Sequence, residues 1–208
     1  MNHLISSMGP SLSPSRSHGR VWGALALWSA AALTFSLSGV VGSLPRPMIP
    51  ILIWSPVIAC VVAYRRGGAL RAFVTDVDLR ALVLYHTVRI FFGAAFLVEM
   101  AAGRIPEAFA RIAGPGDILA GLLAIPAAYL ATRTDRTSRA MVLGWNALGL
   151  ADILAVFFTA QRLIFIDGDA TMLREFSRFP YAALPVLVVP LVILTHLAVF
   201  ARLRRAPR

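Results

Sequence analysis

Ala81 to Ala102 reads ALVLYHTVRIFFGAAFLVEMAA, an otherwise apolar run in which Arg89 is the only basic side chain and Glu99 the only acidic one. A transmembrane helix needs about twenty mainly apolar residues, so this stretch is long enough to cross a bilayer. Arg89 then sits near the centre, where a guanidinium costs roughly 2.5 to 3.5 kcal/mol on insertion scales. It cannot shed its charge, so it demands a partner, and an ionisable residue at that depth is a functional hint.

The rest of the chain has the same character. Of 208 residues, 58% are hydrophobic and 14% charged, against roughly 25% charged in an average soluble domain. Six windows meet or approach the spanning length: 21–43, 48–64, 80–102, 117–132, 140–160 and 181–202. The apolar runs are too long for the alternating strands of an outer-membrane barrel, so the expected fold is all-α, an integral membrane bundle of six transmembrane helices. Residues 1–20, rich in serine and proline with no acidic residue, are read as a disordered cytoplasmic tail. Residues 21–202 form the six-helix domain and 203–208 a basic cytoplasmic tail.

The net charge of +10 comes from arginine alone, since the twenty basic residues include no lysine. Thirteen arginines fall in the two tails and the second and fourth loops, against six in the alternate loops. By the positive-inside rule both termini are cytoplasmic. The arginines lie at helix ends, where they meet anionic lipid head groups, so the bilayer is the expected partner and nucleic acid is not. Cys60 lies in an apolar segment as the only cysteine, which leaves no disulfide framework and no thiolate metal site.

Depth follows from the helix rise of about 1.5 Å per residue. If the third helix enters at Ala81 and the fifth at Ala140, Arg89 lies about 12 Å deep and Asp152 about 18 Å deep. That offset is within reach of an arginine side chain, which makes Asp152 the natural counter-ion. His86, Asn146 and His196 share a second layer about 8 to 9 Å from the inner boundary. His86 and Arg89 lie on one helix face, and Asn146, Gly149 and Asp152 make a similar stripe on the fifth helix. The two stripes are expected to face each other as a polar seam between the third and fifth helices.

Near the outer surface, Asp117 follows Gly114-Pro115-Gly116 and precedes an apolar run, the place of an N-cap carboxylate. The segment before it, opened by Gly103, reads as a short interfacial helix. Glu99 either pairs with Arg104 or Arg111 or lines an outer vestibule leading to Asp152. Asp167-Gly168-Asp169 lacks the remaining ligands of a calcium loop and reads as a polar turn. Pro56, Pro126, Pro185 and Pro190 fall inside spans, where each tends to kink its helix.

Gly103 to Ala110, continuing to Gly116-Asp117, followed by Trp145 to Asp152, resembles uncharacterised bacterial multi-pass inner-membrane proteins that carry no assigned activity. The resemblance covers roughly residues 80–160 and implies a bacterial inner-membrane location. No serine-nucleophile motif, zinc-binding helix, phosphate loop or dinucleotide fingerprint occurs, which points away from an enzyme. The leading reading is a small transport or proton-coupled protein with Arg89, Asp152, His86, Asn146, His196 and Glu99 in its polar core. One alternative is a structural or accessory subunit, in a homo-oligomer or with a membrane partner. Another is a b-type haem protein with His86 and His196 as axial ligands. The leading reading requires no metal or cofactor.

Overall fold

The computed structural model describes residues 16–205, and among these every regular element is helical. The helices are α1 (Arg16–Leu37), α2 (Met48–Arg66), α3 (Ala69–Asp76), α4 (Leu79–Leu84), α5 (Val88–Ala101), α6 (Glu107–Leu130), α7 (Arg136–Phe165), α8 (Ala170–Phe176) and α9 (Val189–Arg205). A 3-10 turn, Tyr85–Thr87, joins α4 to α5, and a π-helical turn, Leu184–Val188, leads into α9. Pro190 accounts for that wide turn, since it has no N–H to return to the Val186 carbonyl. Among the described residues, six helical segments are long and apolar enough to cross a membrane: His18–Leu37, Met48–Arg66, Leu79–Ala101, Glu107–Leu130, Arg136–Phe165 and Leu184–Arg204. The chain has the build of a multi-pass membrane protein.

Two boundaries differ from the sequence expectation for physical reasons. Residues 16–20, expected in the disordered tail, form the first turns of α1. His18 and Trp22 pack edge-on against Phe73 of α3, and His18 Nε2 lies 3.1 Å from Asp76 Oδ2, which anchors that end. Residues 1–15 and 206–208, the rest of the two expected tails, lie outside the described residues. The larger correction concerns the fourth span, which starts at Glu107 and runs through Gly114-Pro115-Gly116 without a break. In lipid the backbone must pair internally, and Pro115 frees only the Arg111 carbonyl, near the exposed end of the helix. The separate interfacial helix expected there does not exist.

The glycines in that stretch are contact points. A Cβ on Gly93 of α5 would come 2.6 Å from the Gly114 carbonyl of α6, and one on Gly121 would meet Ile90 at 2.6 Å. The α5–α6 hairpin therefore crosses at near backbone contact, the use small residues have inside membranes. α6 packs on α7, α7 on α9 and α2 on α9, while α1 leans on α3 and the π-helical turn. α7 has 30 residues, about 45 Å of helix, more than the hydrocarbon thickness of about 30 Å. Asp135 caps its start by accepting the Ser138 N–H at 2.9 Å, and its carboxyl is held below the usual aspartate range by that bond.

Apolar packing collects in three clusters. Phe92, Phe96, Phe109 and Tyr181 centre one cluster and Val83, Ala124, Val142 and Val199 another, while Ile53, Val57, Ile153 and Val192 form a third between α2, α7 and α9. Along the spans His86, Arg89, Asp117, Asn146 and His196, all buried, fall between the first two of these clusters.

Candidate functional site

Arg89 is 2% exposed and spends its donors on two neighbouring helices. Its Nε donates to Asp117 Oδ1 of α6 at 2.6 Å, its Nη1 to the Gly149 carbonyl of α7 at 3.0 Å, and its Nη2 to Asp152 Oδ2 of α7. The Arg89–Asp152 contact reasoned from depth is therefore present. Its second carboxylate is the residue assigned to a helix cap. Asp117 is corrected from an N-cap to an interior residue of α6, ten positions past Glu107, because the helix begins earlier than the glycine-proline pattern suggests.

The expected seam is present in its polar contacts but not as helix-on-helix packing. α5 and α7 share no extended packing face and α6 packs along both, so the third span meets α7 through side chains, Arg89 at Gly149 and Asp152, and His86 at Trp145. Gly116 makes the crossing close: a Cβ there would fall 1.9 Å from Asp152 Oδ1. With both carboxylates ionised, the cluster of Arg89, Asp117 and Asp152 carries a formal charge of −1. Asp117 is buried, while the Asp152 side chain keeps 23% of its surface exposed.

His86, Asn146 and His196 are all fully buried and adjacent. The imidazole rings of His86 and His196 lie 4.0 Å apart between centroids, with Trp145 edge-on to His86 at 5.2 Å. Donor accounting sets the tautomer of His196. Asn146 Nδ2 donates to the His196 carbonyl at 3.1 Å, so Asn146 Oδ1 accepts from His196 Nδ1 at 2.9 Å. Thr195 Oγ1 lies 3.1 Å from His86 Nε2 and within hydrogen-bond distance of the Leu191 and Val192 carbonyls. The remaining ring nitrogens, His86 Nδ1 and His196 Nε2, are buried without a hydrogen-bond partner among the described residues. Gly149 links the two layers, because its carbonyl accepts from Arg89 and its Cα lies against the His196 ring, where a Cβ would come 2.7 Å from Cε1.

That ring contact decides one alternative. Two imidazoles in direct contact leave no space for a macrocycle between them, so the residues present do not fit a bis-histidine haem. Glu99 stays apart from the cluster. It accepts from Arg104 and from the Tyr181 hydroxyl at 3.1 Å, at the far end of α5. Asp167-Gly168-Asp169 forms a turn in which Asp169 Oδ1 accepts the Thr171 N–H at 2.8 Å, capping α8. The Thr171 side-chain bond, the largest influence, holds the Asp169 carboxyl below its ordinary range.

A cavity of about 140 Å³ opens beside the cluster. Asp117 contributes to its wall, Phe96, Phe109, Phe157 and Phe176 give it an aromatic lining, and Arg46 and Gln161 stand among its polar residues. Sequence reasoning missed the cavity and the partner role of Asp117. Counting the fourth span from Pro106 exposes the second, since Asp117 and Arg89 then sit about equally far from the α5–α6 turn.

No curated protein and no solved structure gives a significant match to this chain. A family model does match over residues 46–204, a region that holds every member of the polar cluster and leaves out α1. The chain belongs to the family described as Domain of unknown function (DUF8737).

Proposed function

We propose that this is a small proton-coupled transport protein of the bacterial inner membrane, with both termini cytoplasmic and the titrating site at Asp152 and Asp117. One observation carries the reading: two carboxylates from two helices share a single guanidinium in the apolar interior. An uncompensated negative charge there is costly, so the cluster favours holding one extra proton or one cation. Asp152 is its accessible member, and an aspartate can exchange a proton where an arginine cannot. The unpartnered ring nitrogens of His86 and His196 support the same reading, since a relay needs titratable groups with free positions beside the cluster.

The test is proton flux in proteoliposomes with a trapped pH dye. Asp152→Asn should abolish the flux while the helical signal persists, and flux equal to the unmodified protein overturns the reading. A second reading has its own observation: all three bonds of Arg89 bind α5 to its neighbours, as a structural staple would. On that reading Arg89→Met alone is strongly destabilising, by about 3 to 5 kcal/mol, because it strands a buried charge. Arg89→Met with Asp117→Leu and Asp152→Leu then regains most of the loss, and no flux is seen in any variant.

A further inference from the structure

We infer that the cavity beside Asp117 is a binding site for a small lipophilic amine, its ammonium held by the Asp117 carboxylate and its ring packed among the phenylalanines. The argument begins with size. A cavity of about 150 Å³ lined by leucine, isoleucine and phenylalanine takes up benzene, and this one measures about 140 Å³. The room is that of one aromatic ring with a short substituent. Four of its lining side chains, Phe96, Phe109, Phe157 and Phe176, are aromatic, and such faces attract cations as well as apolar groups.

Charge selects the substituent. Arg89 bonds Asp117 through Oδ1, and no donor among the described residues reaches Oδ2, so one oxygen of a wall residue is free to accept. The cluster behind it carries one more carboxylate than guanidinium, and one ammonium brings it to neutrality. Arg46 is the cation among the lining residues. It is exposed to solvent, and its Nη1 donates to the Ile164 carbonyl at 3.4 Å, so its field is screened more than that of the buried cluster. An anion would meet the buried negative side of the cavity, and a purely apolar molecule would leave Oδ2 unpaired.

This inference rests on the cluster described for proton coupling and names the substrate class of that site. The probes are 4-fluorobenzylamine, 4-fluorobenzyl alcohol, 4-fluorotoluene and 4-fluorobenzoate, followed by fluorine NMR at pH 7 on the full chain in micelles. Micelles without protein serve as the blank. The amine should give a saturable bound signal, with the alcohol and the toluene at least tenfold weaker and the benzoate no different from the blank. Ala160→Phe, which fills the cavity from its wall, should abolish the amine signal with no loss of thermal stability. Asp117→Asn should weaken the amine at least tenfold and leave the alcohol unchanged. If that variant does not fold, the Ala160→Phe result and the ligand ranking decide alone. Equal binding of amine and toluene, preference for the benzoate, or binding untouched by Ala160→Phe each overturns the proposal. Because binding is read without a gradient, absent binding with intact flux removes only the amine, and absent flux with saturable binding removes only the coupling.

Discussion

Replacing Gly116 with alanine puts a methyl group where the three nearest heavy atoms all belong to the Asp152 carboxyl group, Oδ1 at 1.9 Å, Cγ at 2.9 Å and Oδ2 at 3.3 Å. The backbone of α6 need not move, because a carboxylate at the end of a side chain can rotate away. What it loses is the bond from Arg89. Hydrogen bonds to charged groups contribute about 1.5 to 3 kcal/mol, and alanine returns about 1 kcal/mol of helix propensity over glycine. Gly116→Ala should therefore destabilise by about 0.5 to 2 kcal/mol. With Asp152→Ala already in place the obstacle is gone, and the same change should stabilise by about 1 kcal/mol. The two legs form a double-mutant cycle whose sign reverses. Equilibrium unfolding in micelles, followed by tryptophan fluorescence, measures all four corners. An equal cost of Gly116→Ala in both backgrounds would refute the reasoning, since Asp152 would then not be what the methyl meets.

Gly149→Ala meets a stiffer obstacle, the His196 ring held by Asn146 and backed by His86, so it should cost about 1 to 3 kcal/mol by overpacking, read by the same unfolding assay. Asp169→Ala removes the cap of α8 and should cost about 1 kcal/mol, seen as faster amide exchange confined to Ala170–Phe176. Its pH dependence has a definite sign. The folded-state pKa is depressed, so the contribution is complete above the unfolded value of about 3.9 and is lost as pH falls through the folded one. The exchange difference between Asp169→Ala and the parent should close as pH is lowered below about 4, and a difference that survives there contradicts the cap.

The spans were legible because lipid leaves a chain few choices: runs of about twenty apolar residues become helices, and these run from α1 to α9 close to where hydropathy puts them. The Arg89–Asp152 contact was legible for a related reason, since in a helix of fixed rise residue number is a depth gauge. The start of α6 was not. Gly114-Pro115-Gly116 is a breaker pattern by the rules of soluble turns, whereas here the glycines admit Leu97 and Asp152 and the proline costs one carbonyl bond. That one boundary hid Asp117. Equal depth grouped His86 with His196, but their contact depends on Gly149 having no side chain, which is a fact about a neighbouring helix. The cavity was out of reach altogether, because its phenylalanines come from α5, α6, α7 and α8 and meet only after all four have packed.

On the membrane reading proposed above, the short turn between α5 and α6 bears on how the chain would insert. A helix bearing Arg89 alone would partition poorly, at roughly 2.5 to 3.5 kcal/mol against insertion. Arg89 and Asp117 lie at matching distances on either side of the turn, so a nascent hairpin that leaves the ribosome as one piece carries its own neutralising charge into the bilayer. Asp152, synthesised later, then arrives at a guanidinium that is already delivered. On that reading the order of synthesis matches the order in which the charges can be tolerated, and α5 and α6 would insert as a single unit.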